Sequence, residues 1–216
     1  MPKYVGADHE FHDEAFVQGW ADRFVPTPER LELFDTIIGR VAGGPLPVRH
    51  VVELGIGPGY LAERLLGAIP DVTYEGVDFS APMLEIAARR LHAFADRLRC
   101  TRADLLRDDW REQVAPRVGA VVSTWALHDL GGEAVTRSVY AACRALLPAG
   151  GILLNGDFVK PDGTVHDYEP GRFPVSRHLE LLREVGFRDA RCLVFLEREL
   201  DDPTSAQNYA CIEAVA

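Results

Sequence analysis

The sequence predicts an α/β protein, with helices on both faces of a doubly wound, mostly parallel sheet of seven strands that ends in an antiparallel C-terminal strand. Three observations predict it. From His50 onward, short apolar runs alternate with amphipathic stretches, a pattern that implies right-handed crossovers and a parallel sheet. The first run, Val51-Val-Glu-Leu54, leads directly into Gly55-Ile-Gly57-Pro-Gly59 and then into a helical pattern. The last two runs are joined by Asp201-Asp-Pro-Thr-Ser205, a turn-forming segment that predicts an antiparallel pair.

The N-terminal part reads as helical. Residues 8–24 place Phe11, Phe16 and Trp20 at helical spacing, and Pro26 and Pro28 then interrupt the pattern. Thr27 is suited to cap a second helix with Pro28 at its first position, and Leu31, Phe34, Ile37, Ile38 and Val41 form its apolar stripe. Gly43, Gly44, Pro45 and Pro47 end it. Residues 1–46 are thus expected to be a helical lid or extension, and residues 47–216 the main domain of one compact unit. Strands are predicted at 50–54, 72–77, 98–102, 120–124, 151–155, 190–197 and 207–215. Helices are predicted at 60–68, 82–95, 132–147 and 175–185, with Gly186 suited to cap the last, and a shorter one near 108–113.

With 216 residues, 47% of them hydrophobic and 26% charged, the chain has the balance of a globular domain. Its net charge of −10 disfavours nucleic acid as a partner, because phosphate binding needs clustered Lys and Arg. Cys100, Cys143, Cys192 and Cys211 are far apart, so zinc and dithiol sites are not suggested and buried free thiols are expected. The N-terminus lacks an apolar signal core, and no apolar run approaches membrane-spanning length, so a cytoplasmic protein is expected.

The glycine loop selects a ligand. Glycines there let the backbone approach a bound molecule and allow tight turns at positive φ. A dinucleotide fingerprint would read G-x-G-x-x-G, whereas this loop reads G-x-G-x-G with Glu53 two residues before it. Together with Gly76-Val-Asp78-Phe-Ser80-Ala-Pro-Met83, Ala103-Asp104-Leu105, Val121-Val-Ser-Thr-Trp-Ala-Leu-His128 and Leu147-Pro-Ala-Gly-Gly-Ile-Leu153, the segment Glu53–Tyr60 resembles the motifs of class I S-adenosylmethionine-dependent methyltransferases, the small-molecule type in particular. The resemblance runs from about Val51 to the C-terminus. It implies a Rossmann-like sheet, S-adenosylmethionine as cofactor, and methyl transfer to an O, N or C atom of a small acceptor.

The resemblance also implies site residues. Gly55, Gly57, Gly59 and Ser123 would frame the cofactor, Asp78 would take the ribose hydroxyls, and Asp104 with Leu105 would contact the adenine. Glu53 would support the loop or the cofactor ammonium group. Phe79 and Met83 would flank the adenine ring, although core packing suits them equally. Asp104 lies near Asp108 and Asp109, and a solvated acidic cluster would look similar. Ser80 and Pro82 fit a helix start.

On the acceptor side, His128 could orient or deprotonate a hydroxyl or amine. The sequence leans instead to His128 and Asp129 capping the following element. Asp157 is a second catalytic candidate. Trp20, Trp125, Tyr168 and Arg172, with His166 nearby, are candidates for the acceptor pocket, and core packing explains Trp20 and Trp125 as simply. Where base- and protein-nitrogen methyltransferases carry Asn/Asp-Pro-Pro-Tyr, this chain has Ser123-Thr-Trp-Ala126. It also has no acidic residue there to hold the magnesium of catechol-type enzymes, and no metal is implied. A non-catalytic cofactor-binding protein, or methylation of a macromolecule, remains the alternative.

Overall fold

The computed structural model describes residues 9–24, 26–163, 170–196 and 208–216. The predicted turn at 201–205 and the pocket candidates His166 and Tyr168 lie outside the described residues. A short 3-10 turn, Glu10–His12, precedes helix α1 (Glu14–Arg23), and α2 (Pro28–Gly43) follows. The chain then alternates through β1 (His50–Leu54), α3 (Tyr60–Ala68), β2 (Thr73–Asp78), α4 (Ala81–Arg90), β3 (Leu98–Arg102), α5 (Trp110–Gln113), β4 (Ala120–Thr124), α6 (Glu133–Leu146) and β5 (Ile152–Phe158). Helix α7 (Val175–Glu184) and strands β6 (Asp189–Leu196) and β7 (Tyr209–Val215) complete it.

The seven strands form one sheet in the order β3-β2-β1-β4-β5-β7-β6. All neighbours are parallel except β7, which runs antiparallel to both β5 and β6. The chain winds outward from β1 to β3 and then returns to place β4 against β1. Their carboxyl ends therefore diverge into a crevice at the switch point, where open α/β sheets bind ligands.

Successive strand residues feed opposite faces of the sheet, which is why these strands read as continuous apolar runs. Val52, Leu54, Val121 and Leu153 pack on one face beneath α5, α6 and α7, with Trp110, Tyr140 and Leu181. Val51, Ala120, Val122 and Leu154 pack on the other with Leu33, Phe34, Ile37 and Val41 of α2 and Leu61 and Leu65 of α3. Helix α2 is thus part of the core. Arg40 on α2 and Arg191 on β6 both bond the buried Glu213 carboxylate of β7, fastening α2 to the sheet. The predicted caps form: Thr27 Oγ1 accepts from Arg30 N at 3.4 Å, and Ser80 Oγ accepts from Met83 N at 3.2 Å.

Three boundaries differ from the sequence reading by more than two residues. The single N-terminal helix is split at Asp13, whose carboxylate caps α1 by accepting from Phe16 N at 2.7 Å. The helix predicted to reach residue 95 ends at Arg90, and a separate 3-10 turn, His92–Phe94, follows. Strand β5 runs on through Gly156, Asp157 and Phe158, because β7 pairs with that whole length. No described helix is long and apolar enough to cross a membrane.

Candidate functional site

A cavity of about 320 Å³ opens at the switch point between β1 and β4. Its floor is the turn after β1. Gly55, Gly57 and Gly59 all have positive φ (73°, 50° and 84°), a conformation that glycine adopts without strain. Gly55 is also where the β1 and β4 loops meet, and a Cβ there would overlap the Ala126 methyl. Gly59 immediately precedes α3 as its N-cap and, unlike Gly55 and Gly57, does not line the cavity.

Asp78 ends β2 beside this loop. One carboxylate oxygen accepts from Gly57 N and the other from Ser80 N, both at 2.9 Å. Burial raises its pKa against the pull of these amides. Glu53, on β1, is almost fully buried and accepts from the Tyr74 hydroxyl at 2.7 Å. Burial, with a contribution from the nearby Asp78 charge, pushes its pKa up to about 8 despite the Tyr74 bond. Phe79, Met83, Asp104 and Leu105 close the end of the cavity near β2 and β3. Asp108 caps the backbone N–H of Asp104, whose own carboxylate accepts from Leu106 N, both at 2.8 Å. The acidic cluster is therefore a folded loop that presents Asp104 to the cavity.

The opposite half is aromatic. Phe11, Trp20, Phe24, Phe34, Trp125 and Phe158 line it, together with His128, Asp129 and Arg30. Trp20 stacks on Phe24 at 4.9 Å between centroids, and Trp125 meets Phe34 edge-on at 5.6 Å. Trp125 has φ 47°, the one positive value outside glycine among the described residues, and its position at the end of β4 turns the chain toward His128. The N-terminal segment is tied across the mouth: Ser80 Oγ donates to Phe11 O at 2.5 Å, and the Tyr60 hydroxyl donates to Phe24 O at 2.9 Å.

His128 lies in the 3-10 turn Leu127–Leu130, but it does not cap its neighbours; neither Ala126 nor Gly132 has a side-chain cap. Its Nδ1 lies 2.7 Å from Asp157 Oδ1, and its Nε2 lies 3.2 Å from Asp129 Oδ1. Asp157 Oδ2 also accepts the backbone N–H groups of Leu127 and His128, each at 3.1 Å. Asp157 is buried behind His128 and does not line the cavity, so it positions the imidazole. Burial works against the imidazolium, but the two carboxylates outweigh it and hold the His128 pKa above its usual value.

Two sequence candidates fall elsewhere. Ser123 is buried in the sheet, where its hydroxyl donates to Leu54 O at 2.9 Å, binding β4 to β1 and not lining the cavity. Arg172 lies over the Phe158 ring at 4.3 Å, outside the cavity lining. The sequence reading missed Arg30, Phe34, Phe158 and Asp129 as wall residues. Among the described residues, no group of three or more His, Cys, Asp or Glu is placed to hold a metal ion.

This geometry has counterparts. The sequence profile of a methyltransferase domain matches residues 52–153, the span that runs from within β1 through the glycine loop to the start of β5. Over this span the chain carries a methyltransferase domain, and its fold is that of S-adenosylmethionine-dependent methyltransferases. An uncharacterized methyltransferase of Mycobacterium tuberculosis is 37% identical over 120 residues, which are 54% of this chain and 54% of that protein. The chain thus matches about half the length of this curated relative. The methyltransferase fold extends well beyond the matched domain. An O-methyltransferase family protein from Burkholderia thailandensis superposes with a TM-score of 0.70 at 20% identity, covering 95% of this chain and 61% of that one. A phosphoethanolamine N-methyltransferase from Haemonchus contortus, solved with S-adenosylhomocysteine, superposes with a TM-score of 0.73 at 15% identity, covering 98% and 60%.

Proposed function

We propose that this methyltransferase moves a methyl group from S-adenosylmethionine to an oxygen, nitrogen or carbon atom of a small-molecule acceptor by direct displacement. One observation carries the reading: the Gly55–Gly57 turn and the Asp78 carboxylate face the same cavity as a carboxylate-bound His128. The cofactor supplies a methyl group activated by a sulfonium. The residues present fit it. The Asp78 oxygens keep lone pairs free beyond their two amide donors, enough to accept from vicinal ribose hydroxyls. No atom lies within 4 Å of the position a Gly57 Cβ would take, so the turn leaves room for a ligand to approach its backbone. Phe79, Met83, Asp104 and Leu105 suit the adenine end, and the buried Glu53 faces the cationic portion.

Rate comes chiefly from holding the acceptor in line and excluding water. Trp20 and Trp125 wall the acceptor, and residues 9–24 act as the lid, with Phe11 and Phe24 at the mouth. Asp157 holds Nδ1–H of His128, and once Nε2, which faces Asp129 Oδ1 at 3.2 Å, has lost its proton it can take one from an acceptor hydroxyl or amine. The carboxylates of Asp157 and Asp129 stabilise the imidazolium so formed. The acidic surface favours a small acceptor over a nucleic acid.

Calorimetry with S-adenosylhomocysteine tests the cofactor half. Asp78→Ala is expected to weaken binding by about tenfold or more, the scale of a hydrogen bond to a charged group; unchanged affinity removes the ribose assignment. Transfer of a labelled methyl group into a metabolite extract tests the enzyme half. His128→Ala is expected to cut that transfer by about 10²- to 10⁴-fold, and full turnover would discard the base.

A further inference from the structure

Arg30 is the third residue of α2, in its first turn and one residue before its apolar stripe, and it lines the cavity. Its guanidinium carbon lies 4.4 Å from the Phe24 ring centroid and 5.1 Å from that of Trp125. Its Nε is buried with no hydrogen-bond partner, and among the described residues no carboxylate lies within ion-pairing distance of it. The other ionisable groups of the cavity are engaged. Glu53 is held by Tyr74, Asp78 by two amides, Asp104 by Leu106 N, and Asp129 by His128.

Arg30 as a whole is only partly buried, but its Nε is shut off from water, and a cation so placed gains from an anion that meets it, because two aromatic faces offset only part of the lost hydration. The planar guanidinium fork suits a carboxylate or phosphate, and stacking against Phe24 and Trp125 fixes the plane in which it is presented. The position matters as well. Arg30 lies on the aromatic, acceptor-facing half, linked to His128 through ring contacts from Trp125 to Tyr209 (5.7 Å), Tyr209 to Phe158 (5.0 Å) and Phe158 to His128 (4.8 Å). The acidic groups of the cofactor half lie at the ends of β1, β2 and β3.

We infer that Arg30 selects the acceptor, and that the acceptor carries an anionic group which seats against this guanidinium while its apolar body lies along the aromatic wall. The inference rests on the methyl-transfer reading of the cavity and names the class of molecule that enters it.

Tryptophan fluorescence, with Trp20 and Trp125 as reporters, reads the test. The probes are aryl- and alkyl-carboxylates of three to ten carbons, the matching phosphate monoesters, and the matching neutral amides, each titrated with and without S-adenosylhomocysteine. In the wild type, at least one anionic series is expected to bind about tenfold or more tightly than its amides. Which series does so separates a carboxylate from a phosphate. Arg30→Met is expected to reduce that preference to near one, while Arg30→Lys keeps a reduced preference. S-Adenosylhomocysteine affinity in both variants reports that the cavity is folded. A wild type that binds no anion better than its amide, or a preference that survives in Arg30→Met, overturns the inference. Failure of S-adenosylhomocysteine to bind the wild type would instead remove the methyltransferase reading, with the anion preference still measured separately.

Discussion

Replacing Glu53 by Gln isolates the most strongly perturbed acid of the cavity. Glu53 is 1% exposed, accepts from Tyr74 at 2.7 Å, and has its pKa raised from 4.5 to about 8, chiefly by burial. Between those values the folded chain keeps a proton that the unfolded chain has released. The stability this contributes is fully present below pH 4.5 and is lost as pH rises toward 8. One unit corresponds to about 1.36 kcal/mol, so from pH 5 to pH 8 this group removes on the order of 4 kcal/mol. Gln has nearly the same shape, can still accept from Tyr74, and carries no titrating proton. Other groups titrate alike in both proteins, so the stability of Glu53→Gln relative to wild type should grow with pH by that amount. Urea midpoints at pH 5, 6, 7 and 8 measure it. Parallel profiles for the two proteins would refute the assignment of a buried, protonated Glu53. The same proton bears on binding. Cationic groups of the cofactor beside Glu53 favour its carboxylate, so S-adenosylhomocysteine, through its ammonium group, should release protons on binding near pH 7. Calorimetry in buffers of different ionisation enthalpy should show that release reduced in Glu53→Gln.

Two further substitutions address the loop and the imidazole. Gly55→Ala puts a side chain at φ 73° against Ala126, which should cost about 1–2 kcal/mol for the left-handed backbone and roughly 1–3 for the overlap. Its urea midpoint and cofactor affinity should both fall, and wild-type values for both would count against the loop geometry. Asp157→Asn cannot accept from His128 Nδ1–H and from the amides of Leu127 and His128 together, so turnover should drop about 10- to 100-fold. Loss of the carboxylate also lowers the His128 pKa, and because the base works deprotonated, the rising limb of activity should move to lower pH. An NMR titration of His128 that matches wild type would contradict this.

The two halves of the cavity differ in how far sequence could reach them, and the reason is physical. The cofactor half is built from consecutive residues whose backbone does much of the work: β1 and α3 have the bounds their pattern predicts, and the turn between them needs glycine for its φ angles. Strand β4 is equally legible, because an apolar run buried on both faces ends abruptly at a polar loop. Where a distant strand sets the outcome, the reading fell short. Residues Gly156–Phe158 look like loop until β7 pairs with them, and that pairing carries Asp157 to the place behind His128. The acceptor half draws on the N-terminal segment, α2, the turn after β4, and the end of β5. No spacing within one segment could announce it. Arg30 shows this most plainly. In the sequence it is an ordinary cation in the first turn of an amphipathic helix, and only the packing of α2 against the sheet brings it over Trp125, a residue 95 positions away. A cavity whose cofactor side is encoded locally and whose acceptor side is assembled from distant segments can keep its donor while its acceptor changes. Acceptor preference should therefore follow residues such as Arg30 and Phe158 more closely than the glycine loop.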